Sequence, residues 1–157
     1  MERYQPVLVW TSGVGALIVA GVFFAFSNFI MKGLGQIPPD EGMRAMNAIN
    51  VTVVNPVFMA ILFGTGAVAI FLAVTNFSSL PNPSAVKIIA GAAVYAFGSL
   101  GVTMAFNVPL NDSLAAAGAG DAGAVWAAYL KTWLVWNHVR GFASLAAGVL
   151  LLASLIP

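Results

Sequence analysis

Trp133-Leu134-Val135-Trp136-Asn137-His138-Val139-Arg140 sets the only histidine and an arginine inside a segment that is otherwise apolar as far as Pro157. A charge at membrane depth costs roughly 2.5 to 3.5 kcal/mol on insertion scales, and such groups mark functional sites by default. Around it, 61% of the 157 residues are hydrophobic and only 7% charged, against about 25% charged in soluble domains. The chain therefore reads as an integral membrane protein. A span needs about 20 apolar residues, so the length supplies four spans and leaves no soluble domain.

The fold expected from this is all-α: an antiparallel four-helix transmembrane bundle in one domain, 1–157, with spans at about 6–31, 48–74, 85–106 and 131–156. The first run is longer than the apolar part of a secretory signal, about 7 to 15 residues, and is expected to stay as an anchor. Pro38-Pro39-Asp40-Glu41 stops one helix and starts the next. Pro56 cannot donate its backbone bond and crowds the carbonyl of Thr52, which predicts a kink or short break there, with Asn55 as its cap. The stretch from Asn107 to Asp112 is expected to end the third helix. An Ala/Gly-rich linker, 115–123, then leads into the last helix, whose Trp126 and Tyr129 suit an interfacial belt.

Several classes fall away. The formal net charge is +1 and the six Lys/Arg are scattered, so no basic patch is present for nucleic acid. The absence of cysteine excludes disulfides, zinc–thiolate sites and iron–sulfur clusters. Orientation stays open, with Arg3 and Lys87 on one side and Lys32, Arg44 and Lys131 on the other.

Four antiparallel spans place the first and third connections at one membrane face. Arg44, Asn47, Asn50 and Asn55 flank the first, while Asn107, Asn111, Asn137, His138 and Arg140 flank the third. Two distant polar clusters are thus expected to converge. Asn47 and Asn50 share a helix face. On the last helix Leu134, Gly141 and Leu145 share the face of His138, and Trp133, Asn137, Arg140 and Ser144 occupy the adjacent one. A glycine one turn from an imidazole leaves room for a planar macrocycle, with His138 as an axial nitrogen ligand and Arg140 on a carboxylate of the same ligand. The expected geometry has the imidazole facing inward, toward the amides of the second helix. The plainer reading makes His138 interhelical glue and lets Arg140 snorkel to the headgroups. Met43, Met46, Met59 and Met104 read as filler.

The blocks Gly21-Val22-Phe23-Phe24-Ala25-Phe26-Ser27-Asn28, Ala45-Met46-Asn47-Ala48-Ile49-Asn50, Asn55-Pro56-Val57-Phe58-Met59, Asn107-Val108-Pro109-Leu110-Asn111 and Trp136-Asn137-His138-Val139-Arg140 resemble the anthrone oxygenase-like family of small four-helix membrane proteins. The resemblance implies a helical bundle and, for some members, conversion of anthrones to anthraquinones. For others it implies a haem-containing dimer with unusual axial ligation. Carried onto this chain, it implies haem b with His138 axial to the iron, Asn50 as a further candidate ligand, and Arg44, Asn47, Trp133, Asn137 and Arg140 around it. With no second histidine, bis-histidine ligation within one chain is impossible, which suits reaction on a small hydrophobic or nitrogen–oxygen substrate better than electron carriage. His138, Asn50 and Arg140 are then the catalytic candidates. The alternatives are a cofactor-free oxygenase with His138 as base, and a non-enzymatic transporter or structural subunit. The partners expected are the bilayer, the substrate and a second copy packed through Ser144-x-x-x-Gly148.

Overall fold

The computed structural model describes residues 4–117 and 121–156; Arg3 and, in the expected linker, 118–120 lie outside them. Five helices are present among the described residues: α1 (Gln5–Leu34), α2 (Pro39–Thr52), α3 (Pro56–Ser79), α4 (Pro83–Ala116) and α5 (Ala122–Ala153). All but α2 are long and apolar enough to cross a membrane. The helix starts follow from local chemistry. Pro6, Pro39, Pro56 and Pro83 stand in first turns, where the missing N–H is no loss. Asn55 accepts from the Phe58 N–H at 3.0 Å and Asn82 from the Ser84 N–H at 2.9 Å.

The break expected at Pro56 is present. α2 stops at Thr52, and the Asn55 amide staples the gap by donating to the Thr52 carbonyl at 3.1 Å while its oxygen caps α3. The second membrane helix therefore starts at Pro56 and not near residue 48. The expected end at Asn107 is absent, because α4 continues to Ala116. Residues Thr103–Asn107 are wound as a π-helix, in which the Val108 N–H reaches the Thr103 carbonyl, and this wider turn carries the chain past Pro109.

α1 and α5 form the central pair. A Cβ on Gly13 would meet Leu152 at 2.7 Å, and one on Gly148 would meet Leu17 at 2.8 Å; bare backbone there lets the helices touch. Ser27 of α1 meets Asn137 and Gly13 meets Gly148, so the two helices run in opposite directions. Ser144 is also buried and bonds Ser99 of α4 at 2.9 Å. The Ser144-x-x-x-Gly148 face expected to pair two copies is thus consumed inside one chain. Its small residues solve the packing of α1, α4 and α5.

α2 closes one end of the bundle. Its Met43 and Met46 pack on Leu114, Trp126, Tyr129 and Trp133. Trp126 and Tyr129 are 3% and 5% exposed and stack with centroids 5.6 Å apart. The interfacial belt expected from them is therefore a buried cluster, since α2 lies over these rings.

Candidate functional site

Along α4, Tyr95, Ser99, Thr103, Asn107 and Asn111 recur every fourth residue. In a pure α-helix four residues overshoot a turn by about 40°, so such a series would wander around the cylinder. The π-helical segments Val94–Gly101 and Thr103–Asn107 widen the turn and hold the series toward the interior. Tyr95 donates to the Leu62 carbonyl at 3.0 Å, and the Asn107 amide donates to the Trp133 carbonyl at 3.4 Å. Asn111 accepts from the Tyr129 hydroxyl at 2.8 Å and from the Trp133 indole at 2.9 Å.

Arg140 faces this stripe from α5 and is 7% exposed. Its Nε donates to Asn137 Oδ1 at 3.0 Å, and one terminal nitrogen reaches the Thr103 hydroxyl at 3.5 Å. The guanidinium carbon sits 4.1 Å from the Phe23 ring centroid and 4.9 Å from that of Trp133. Asn137 is held in turn, since its amide donates to the Phe23 carbonyl at 2.8 Å and to Ser27 Oγ at 2.7 Å. A π-helical turn at Phe26–Ile30 follows that carbonyl. Among the described residues the one ion pair is Arg44 with Asp40, at 3.0 Å on the surface. Arg140 therefore keeps its charge at membrane depth with two ring faces and two neutral acceptors, but no acidic partner among the described residues. Cation–π contacts offset about 2 kcal/mol or more each when desolvated and do not neutralise the charge. The guanidinium also has more donors than these two bonds use.

Arg140, Asn50, Thr103, Asn107, Asn111 and Trp133 line one chamber of about 160 Å³. Two polar atoms of its wall are buried without a partner, the Asn50 NH₂ and the Asn107 carbonyl oxygen. Asn107 is 1% exposed. Unpaired groups of this kind are rare in interiors and mark a place for a polar ligand or water.

His138 is elsewhere. It is exposed on the outer face of α5 and lines a separate groove of about 340 Å³ against α1, with Leu17, Gly21, Phe24, Gly141 and Leu145. The expectation that its ring meets the second helix's amides is corrected: the Asn137/Arg140 face turns inward, and His138 lies on the other side of the cylinder. Arg44 is tied to Asp40 at the surface, and Asn47 does not line the chamber although its carbonyl oxygen is buried and unpaired. Of the expected set, Asn50, Trp133 and Arg140 meet in the chamber, and Asn137 orients the last of them.

This arrangement does not fit a haem b held by His138 and Asn50 together. The two residues open into different cavities that share Phe23 as a wall, and the unpaired end of Asn50 is a donor, no ligand for iron. No group of three or more His, Cys, Asp or Glu is placed to hold a metal ion among the described residues. Thr103 is the chamber residue that sequence reasoning missed, and Asn107 and Asn111, expected in the converging cluster, join it in one wall. Their fourfold spacing was the available signal.

Residues 52–150 match the anthrone oxygenase family. The chain belongs to that family. For this anthrone oxygenase family member, the match takes in the Asn55–Pro56 cap, the whole α4 stripe, Trp133, Asn137 and Arg140, and leaves Asn50 just before its start. No curated protein and no solved structure matches the chain.

Proposed function

We propose that the chain is a membrane-embedded oxygenase of anthrone-type substrates, and that Arg140 holds the substrate's oxyanion in the chamber. The supporting observation is the buried guanidinium without an acidic partner among the described residues, set beside the unpaired NH₂ donor of Asn50. An anthrone is a planar aromatic ketone whose CH₂ group becomes acidic once the ketone oxygen can carry negative charge. Loss of a CH₂ proton gives the enolate, and a fixed cation in a water-poor site favours this charged form strongly. The enolate gives one electron to dioxygen, and the resulting radical pair joins carbon to oxygen. The hydroperoxide then loses its C–H proton and breaks its O–O bond, leaving a new carbonyl. Anthrone and dioxygen become anthraquinone and water.

The polar chamber residues named above are amides, a hydroxyl and the guanidinium, so in this scheme they stabilise charge and orient, and the proton leaves to water. Asn137 and Thr103 fix the guanidinium plane, the Asn50 NH₂ is a second donor for the oxyanion, and the Phe23 and Trp133 rings flank the guanidinium. The outer groove, with His138 beside Gly21 and Gly141, takes no part.

The test is anthrone-dependent oxygen uptake by the purified protein in liposomes. Arg140→Met is expected to lower the rate by about 10²–10³, the usual cost of removing an oxyanion donor. Uptake that is unchanged in Arg140→Met overturns the assignment. A Soret band that vanishes in His138→Ala together with activity would move the reaction to the outer groove and haem b.

A further inference from the structure

One rim of the chamber looks out of the bundle. Its inner wall is Arg140, Trp133 and Asn107, all buried, yet Val54, Met104 and Phe63 line the same space and are 67%, 56% and 48% exposed. Val54 lies in the break between α2 and α3, Phe63 on α3 and Met104 on α4. These rim side chains are apolar and stand on or beside membrane-spanning helices, so the opening faces hydrocarbon. Irregular backbone is tolerated at membrane depth where it lines a cavity, and the 53–55 break meets that condition.

The opposite end is shut. Met43 and Met46 seal α2 onto the Trp126, Tyr129 and Trp133 cluster, and Asn111 is fastened to the last two rings. A Cβ on Gly42 would meet the Trp126 ring at 2.8 Å, so α2 lies directly on it. The volume adds a second constraint. A chamber of about 160 Å³ is the size of the roughly 150 Å³ engineered cavity that takes one benzene ring. A fused three-ring substrate cannot lie wholly inside it.

We infer that the gap between the Val53–Asn55 break and Met104 is a lateral substrate portal. A polycyclic substrate enters from the bilayer with its oxygen end leading to Arg140, and its outer rings rest between Val54, Phe63 and Met104, which set the ring count accepted. Asn55 acts here as a positioning residue, because its one amide holds the α2 terminus and caps α3 and so fixes the width of the gap. The inference rests on the chamber being the substrate site, as proposed above.

Equilibrium binding in nanodiscs separates the two readings. The probes are 4-nitrophenolate, a one-ring anion that fits the chamber, and anthrone, which does not fit without the portal. Met104→Trp narrows the rim at an exposed position and is expected to weaken anthrone roughly tenfold while leaving 4-nitrophenolate within about twofold. Met104→Ala removes a side chain on which the outer rings rest and is expected to weaken anthrone about threefold while leaving 4-nitrophenolate unchanged, which guards against a Trp variant that fails to fold. Arg140→Met is expected to lose both probes. If Met104→Trp and Met104→Ala bind anthrone like the parent while Arg140→Met loses both probes, the portal is refuted and the chamber stands. If 4-nitrophenolate weakens as much as anthrone in Met104→Trp, the rim does not select size and the inference is overturned. If Arg140→Met binds both probes normally, the chamber assignment itself fails.

Discussion

His138 and Arg140 are two residues apart and live in different worlds. The first lines an outer groove with Gly21 and Gly141; the second stands at the inner wall of a largely apolar chamber, beside the polar groups of Asn50, Thr103 and Asn107. Two residues on a helix are separated by about 200°, so one of the pair must face outward. The helix settles which by its company: Asn137, Arg140 and Ser144 share one face, while Leu134, Gly141 and Leu145 share that of His138. In lipid the face with more hydrogen-bonding groups turns inward, because hydrocarbon offers those groups no partner. The more versatile side chain, an imidazole, does not decide the orientation of the helix.

The sharpest way to break this contrast is to neutralise the chamber from within. Asn137→Asp places a carboxylate where the amide oxygen now sits, 3.0 Å from the Arg140 Nε. The new pair satisfies the guanidinium, and affinity for 4-nitrophenolate is expected to fall by about tenfold to a hundredfold, with a lower thermal midpoint because the second carboxylate oxygen loses the bond to the Phe23 carbonyl. Titration of the anion against the variant checks this, and an unchanged affinity would mean that Arg140 does not carry the anion.

A smaller effect is expected from glycines of the two regions. Gly42→Leu must push the Trp126 ring away from α2 and is expected to cost about 1–3 kcal/mol through overpacking, seen as a lower thermal midpoint. Gly21 lines the outer groove with nothing within 4 Å of its added Cβ, so Gly21→Leu should leave the midpoint where it is. The smallest effect belongs to the histidine itself: His138→Leu should alter oxygen uptake by less than about twofold, as expected of a substitution away from the reacting atoms.

Much of this architecture was legible in the sequence. Composition dictated the membrane, the Asn55–Pro56 pair dictated the break, and the two amide clusters around the first and third connections did converge, through Asn50 on one side and Asn107, Asn111 and Arg140 on the other. The division of α5 into two faces was legible too, but its direction was misjudged by following the histidine. Two further features were hidden for physical reasons. A proline at 109 ordinarily ends a helix, and only a π-helical turn, which no local propensity marks, carries α4 beyond it. Tryptophan and tyrosine at a helix start suit an interfacial belt equally well, until α2 is found lying over them.

In the proposed function the reacting face of α5 is that of Arg140. Oxygen uptake with anthrone, measured side by side for Arg140→Met and His138→Leu in the same liposome preparation, tests it most directly. A rate about 10² or more below the parent is expected for the first and a near-parental rate for the second; a near-parental Arg140→Met beside an inactive His138→Leu would place the reaction on the histidine's face instead.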